Sequence, residues 1–184
     1  MPLYLPAESL DYVTSFDELI GIPTVPTLRH PLSQAFDVRG LDLETPTPIE
    51  ILTGLTLTAF AAKHAVPSAA LRFEDADGGV IAFSSDTADC AGVRAAADLA
   101  DVFVCEATYL TATEQELEGH GHLTGAGAGA LAAAVGAGTL LVTHIADPEL
   151  APAILTDAVF AAGESVETVL ARPGYTRTVA SART

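Results

Sequence analysis

"FVCEATYLTATEQELEGHGHLTGAGAGALAAAVGAGTLLVTHI", residues 103–145, decides how this chain is read, and it holds three of the five histidines, His120, His122 and His144. Its two ends are apolar runs of strand length. Between them lie a polar loop and an Ala/Gly run long enough for a helix. Strand, loop, helix and strand in that order imply parallel strands with their loops gathered at the strand ends. The Ala/Gly run is then a helix packed closely on the sheet, carrying the chain from His122 back to His144. From Thr124 to Thr143 twenty residues carry no charge. Gly136 and Gly138 interrupt them, so the stretch predicts a buried helix, a turn and a strand rather than a membrane span. "GAGAGA" is not a dinucleotide loop: Gly-x-Gly-x-x-Gly needs glycine where Ala130 stands and a strand leading directly into it.

The same rhythm extends in both directions. Upstream, "LTLTAFAAKH" and "SAALRFED" alternate as strands, and the tight turn "DADGG" leads into the strand "VIAFSSD". A helix is expected over Ala88–Leu99, with Thr87 as its cap. Downstream, Pro148–Ala161 reads as a helix and "SVETVLA" as a last strand. At the start, "PLYLP" is a short strand and Ala7–Leu19 an amphipathic helix. Ile22 to Pro48 is expected to be irregular, apart from a strand near "QAFDVRG". The fold class is α/β (α+β), and 184 residues suit a single domain, 1–184, able to bury a sizeable core.

Composition narrows the function. Nearly half the residues are hydrophobic, and the formal charge is −16 with one lysine, Lys63. No basic stripe exists to release counterions from a phosphate backbone, so nucleic acid is not an expected partner. Cys90 and Cys105 form no Cys-x-x-Cys pair, and neither suggests a structural disulfide. The N-terminus has no basic start and meets Glu8 and Asp11 early, unlike a signal peptide. A cytoplasmic protein that does not enter a membrane is the expectation.

Polar residues stand where the strands end: His64 after "LTAFAAK", Asp86 after "VIAFSS", Glu106 after "DVFVC" and His144 after "TLLVT". Imidazoles and carboxylates meeting on one rim suit zinc or manganese. Two ions sharing a hydroxide would clamp a phosphodiester from both sides. His122, on the loop, would protonate the leaving oxygen or stabilise the phosphorus centre, and Glu106 would orient it. Taken singly, each has a plainer alternative: a packed or surface histidine for His64 and His144, a helix-capping turn residue for Asp86. His120 reads as a polar loop residue, and His30 has no assigned role.

From Leu3 to Leu170 the chain resembles metallo-β-lactamase-fold hydrolases, in particular the ribonuclease Z-like and cyclic-nucleotide phosphodiesterase-like group. The segments that carry the resemblance are "KHAVPSAALRFE", "IAFSSDTADC", "ADVFVCEATY", "HLTGAGAGALA" and "LLVTHI". It implies the C-terminal two-thirds of a four-layer αββα sandwich. By this resemblance His64 binds one ion, Asp86 bridges both, His144 binds the second, and His122 is catalytic with Glu106 behind it. The implied activity is hydrolysis of a small phosphodiester such as a cyclic nucleotide. The alternatives are transfer-RNA 3′ processing, for which no basic arm lies between Met1 and Thr184, and an inactive interaction domain on the same scaffold. Ser85 stands where the family usually has glycine. The family's His-x-His-x-Asp-His segment is not among these residues. Its ligands are then expected from a longer chain, a partner or self-association into a homo-oligomer.

Overall fold

In a computed structural model of the chain, which describes Met1–Val179, the backbone divides into two compact units, the first being 1–45 and the second beginning at residue 46. In the first, strand β1 (Pro2–Pro6) pairs in parallel with β2 (Asp37–Leu41). Between them run helix α1 (Leu10–Ile20) and the short helix α2 (Pro31–Ala35). That second helix corrects the expectation of an irregular segment. Its donors are satisfied from a distance: the Asp17 carboxylate accepts from the backbone N–H groups of Leu32 at 2.7 Å and Ser33 at 3.1 Å. Such a cap, supplied from another helix, leaves no local signature.

The second unit is one seven-stranded sheet in sequential order: β3 (Ile49–Leu52), β4 (Leu55–Ala61), β5 (Ala69–Asp75), β6 (Val80–Phe83), β7 (Val102–Glu106), β8 (Thr139–Thr143) and β9 (Glu167–Leu170). The first four pair antiparallel, and the last four, β6 to β9, pair in parallel. The switch follows the connections, because turns join antiparallel neighbours while parallel ones need a crossover helix. Those helices are α3 (Ala91–Ala97), α4 (Gly125–Ala134) and α5 (Ala151–Ala162). Strand β3 was not foreseen. Thr53 and Gly54, with Gly54 at φ +77°, form the tight turn that pairs it with β4.

The core is built from small side chains. Ala70, Ala82, Phe103, Cys105, Leu140 and Val142 are fully buried on the strands, against Val93, Ala96, Leu131, Ala132, Ile154 and Ala158 of the helices. Burial pushes the Cys105 thiol well above its ordinary range, so this cysteine is a packing residue. Cys90 and Cys105 are both free thiols. No helix among the described residues is long and apolar enough to cross a membrane.

Two details differ from the sequence expectation. Helix α3 is capped at Cys90 rather than Thr87, and Thr87 is instead fully buried, with its hydroxyl donating to the Ala88 carbonyl at 2.6 Å. The Ala/Gly helix does form, opened by Thr124, whose hydroxyl accepts from the Gly127 N–H at 3.0 Å. Its tightest approach, however, is to α5. A Cβ on Gly125 would lie 2.3 Å from the Ile154 carbonyl oxygen, and one on Gly129 2.2 Å from that of Ala158. Gly129→Val is therefore expected to destabilise the protein by about 3 kcal/mol through overpacking. Gly127→Ala, whose Cβ would meet nothing closer than 3.3 Å, is the control. Thermal melts decide it: equal melting temperatures for the two variants would contradict the close helix contact.

Candidate metal centre

Strands β6, β7 and β8 end on one rim, and each delivers a polar residue to it: Asp86 after β6, Glu106 at the end of β7 and His144 after β8. After β6 the backbone turns sharply, with Ser85 at φ +52°; after β8 it does so again, with His144 at φ +52°. Left-handed conformations are uncommon for residues with a side chain and gather at functional sites. The departure noted at Ser85 thus falls where glycine would cost least. The serine hydroxyl donates to the Ala69 carbonyl at 2.7 Å.

These turns bring four predicted residues together. The His144 Nε2 lies 3.4 Å from Asp86 Oδ1, and the His64 Nε2 lies 3.9 Å from Asp86 Oδ2. The His122 ring is 4.9 Å from that of His64, edge-on, and stacks 5.8 Å from that of His144. One ligand atom from each of Asp86, His122 and His144 falls within a 4.8 Å cluster. Ligands on a tetrahedral zinc with bonds of about 2.0–2.1 Å stand roughly 3.4 Å apart, so the Asp86–His144 separation already matches one edge. The geometry includes His122 in this cluster, although the sequence assigned it to catalysis, while His64 approaches the opposite carboxylate oxygen.

The other ring nitrogens explain why the ligand atoms point inward. His64 Nδ1 lies 3.1 Å from the Gly121 carbonyl, which can only accept, so Nδ1 carries the hydrogen. His122 Nδ1 donates to Glu106 Oε1 at 2.9 Å. The Thr108 hydroxyl donates to Glu106 Oε2 at 2.6 Å, so it must accept from His144 Nδ1 at 2.9 Å. In the neutral form, all three imidazoles thereby present an unprotonated Nε2, the form a metal requires, through partners of the kind that orient metal-bound histidine. The residues present fit a divalent ion: hard and borderline N and O donors, each fixed from behind.

Glu106 is the centre of that support. It is 1% exposed and also accepts from the backbone N–H groups of Thr87 at 2.8 Å, Leu123 at 3.1 Å and Thr108 at 3.3 Å. All the groups around it donate, which suits an ionised carboxylate. Thr108 was missed in the sequence. Its signal was position, two residues beyond Glu106 and so on the same side of an extended segment. His120 is exposed and reaches the site only through its backbone, its carbonyl accepting from the Ala65 N–H at 3.0 Å. His30 lies in the first unit.

Comparison with known proteins agrees with this architecture. A family model described as beta-lactamase superfamily domain matches residues 4–145, and the chain belongs to that family. Among solved structures it is similar to the metallo-beta-lactamase fold protein YhfI from Bacillus subtilis, with a TM-score of 0.71 at 18% identity, over 95% of this chain and 63% of that one. It is also similar to the short form of human tRNase Z, ELAC1, with a TM-score of 0.65 at 20% identity, over 96% of this chain and 67% of that one. A diphosphatase of the PhnP family gives a TM-score of 0.60 at 14% identity, over 91% of this chain and 55% of that one. The chain thus spans between about half and two thirds of the length of these structures. No curated protein matches it significantly.

Proposed function

We propose that this chain carries the metal centre of a hydrolase that cleaves small phosphodiesters, cyclic nucleotides among them. The observation behind the proposal is the inward-facing set of Nε2 atoms on His64, His122 and His144 around the Asp86 carboxylate. His64, Asp86 and His144 would hold divalent metal, zinc or manganese by their donor chemistry. When bound, the metal would lower the pKa of a water and polarise the phosphoryl oxygens.

The remaining steps belong to this chain. His122, 13% exposed at its side chain, has one nitrogen on Glu106 and the other toward the rim. Glu106 balances the charge that the imidazole gains on protonation, as the buried acid of a catalytic triad does for its histidine. Once protonated at Nε2 from solvent, His122 delivers that proton to the leaving oxygen and returns to the neutral imidazole with its hydrogen on Nδ1. Tyr109, edge-on to His122 at 5.7 Å, limits the swing of that ring.

The choice of a phosphodiester rests on the sequence segments quoted above. It is consistent with fold relatives named a tRNase and a diphosphatase. The choice of a small substrate rests on the charge of −16, which disfavours a long polyanion. The test is equilibrium dialysis of the purified chain against Zn2+ or Mn2+. Hydrolysis of bis(p-nitrophenyl) phosphate and of cyclic nucleotides is then measured with and without chelator. Stoichiometric metal and chelator-sensitive hydrolysis are expected. A chain that binds neither ion at micromolar concentration would refute the reading.

A further inference from the structure

The loop that carries His122 is fastened to the strand end that carries His64, and the fastening centres on Gly121. This residue is buried, at φ +81°, and a Cβ on it would lie 2.2 Å from the Lys63 carbonyl oxygen and 2.5 Å from the His64 Cα. No side chain fits there, so the two backbones touch. On either side the contact is reinforced: the Ala65 N–H donates to the His120 carbonyl at 3.0 Å, and the Lys63 ammonium pairs with Glu118. The Gly121 carbonyl accepts from His64 Nδ1 at 3.1 Å, and the next residue along the chain is His122.

We propose that Gly121 is a positioning residue that sets the tautomer of His64 and fixes His64 and His122 relative to each other, an inference that rests on the metal-centre reading above. A left-handed glycine is required because any side chain would push the His122 loop off the Lys63–Ala65 segment. The Gly121 carbonyl would leave His64 as the loop moved. With no acceptor at Nδ1, the ring is free to carry its hydrogen on Nε2, where it blocks a metal.

The test compares Gly121→Ala with Gly54→Ala. Gly54 has almost the same backbone angle, φ +77°, but lies in the β3–β4 turn beside Ala76. Both variants place alanine in a left-handed conformation, so both lose stability for the same reason. The tautomer of His64 is read by nitrogen-15 NMR on metal-free protein at about pH 9, where ordinary imidazoles are neutral. Zinc affinity is read by chelator competition. Wild type and Gly54→Ala are expected to show Nδ1–H on His64, whereas Gly121→Ala shows mixed tautomers and a roughly 10–100-fold weaker affinity, the range for outer-shell changes.

An unchanged His64 tautomer in Gly121→Ala, or an equal loss of affinity in Gly54→Ala, would overturn the assignment. If Gly121→Ala fails to fold, Ala65→Pro removes the N–H that holds the His120 carbonyl. A wild-type His64 tautomer in that variant overturns the coupling. Should wild type bind neither zinc nor manganese, the metal reading fails while the tautomer comparison still decides the role of Gly121.

Discussion

Asp86→Asn is expected to weaken zinc or manganese binding by more than about 100-fold, beyond the 10–100-fold typical of outer-shell changes, and to bring hydrolysis to background. Among the described residues, Asp86 is the one carboxylate that two imidazole Nε2 atoms approach, at 3.4 and 3.9 Å. Asparagine keeps its shape but removes the charge and turns one oxygen into a donor, which cannot face a cation. The fold has little stake in the change. The Asp86 side chain is 39% exposed, and its backbone carbonyl still accepts from the Ser68 hydroxyl at 3.0 Å. Metal-free melting temperatures should therefore agree within about 2 °C. Zinc at a hundred times its dissociation constant adds about 2.7 kcal/mol to a protein that binds it only when folded, or roughly 5–10 °C here. A hundredfold weaker site loses nearly all of that rise. The same zinc-induced shift in both proteins would remove Asp86 from the site.

The sheet could be read in advance because its signals are local. Alternating residues in "LTLTAFA" and "SAALRFED" mark antiparallel strands, and the apolar runs "VFVC" and "TLLVT" mark parallel ones. Four of the site residues, His64, Asp86, Glu106 and His144, were visible for the same reason: each stands at a strand end or within three residues of one. What the sequence hid was settled by contacts distant along the chain. Helix α2 depends on a carboxylate fifteen residues away. Thr87 looked like a cap, yet its hydroxyl accepts from the Lys63 N–H at 3.0 Å and its own N–H serves Glu106. The glycines of α4 suggested close packing but could not say against which partner. Thr108 is an ordinary strand-end threonine until two histidines and a glutamate are placed around it.

Glu106 is where fold and site share one group, and Glu106→Gln should injure both. The substitution preserves volume, so no cavity accompanies it, and the effect is purely one of hydrogen bonding. Glu106 Oε1 accepts from the Thr87 N–H and His122 Nδ1; Oε2 accepts from the Thr108 hydroxyl and the N–H groups of Thr108 and Leu123. Whichever way the amide turns, its NH2 faces at least two buried donors. At about 1–3 kcal/mol for each buried group left unsatisfied, the loss is about 2–6 kcal/mol, or roughly 5–20 °C in melting temperature. If the NH2 takes the Oε2 position, the Thr108 hydroxyl can escape the clash by accepting from it. It must then donate to His144 Nδ1, which moves the histidine hydrogen to Nε2 and closes that ligand position. If the NH2 takes the Oε1 position, His122 loses its acceptor instead. Metal affinity should fall about 10–100-fold along with stability. Thr108→Val separates the two effects, since it keeps the Glu106–His122 bond and four of the five donors to Glu106 while removing the acceptor of His144 Nδ1. It should lower metal affinity with a smaller fall in melting temperature. A Glu106→Gln protein that melts within about 2 °C of wild type and binds zinc as tightly would show that the five-donor cage contributes neither to the fold nor to the metal centre.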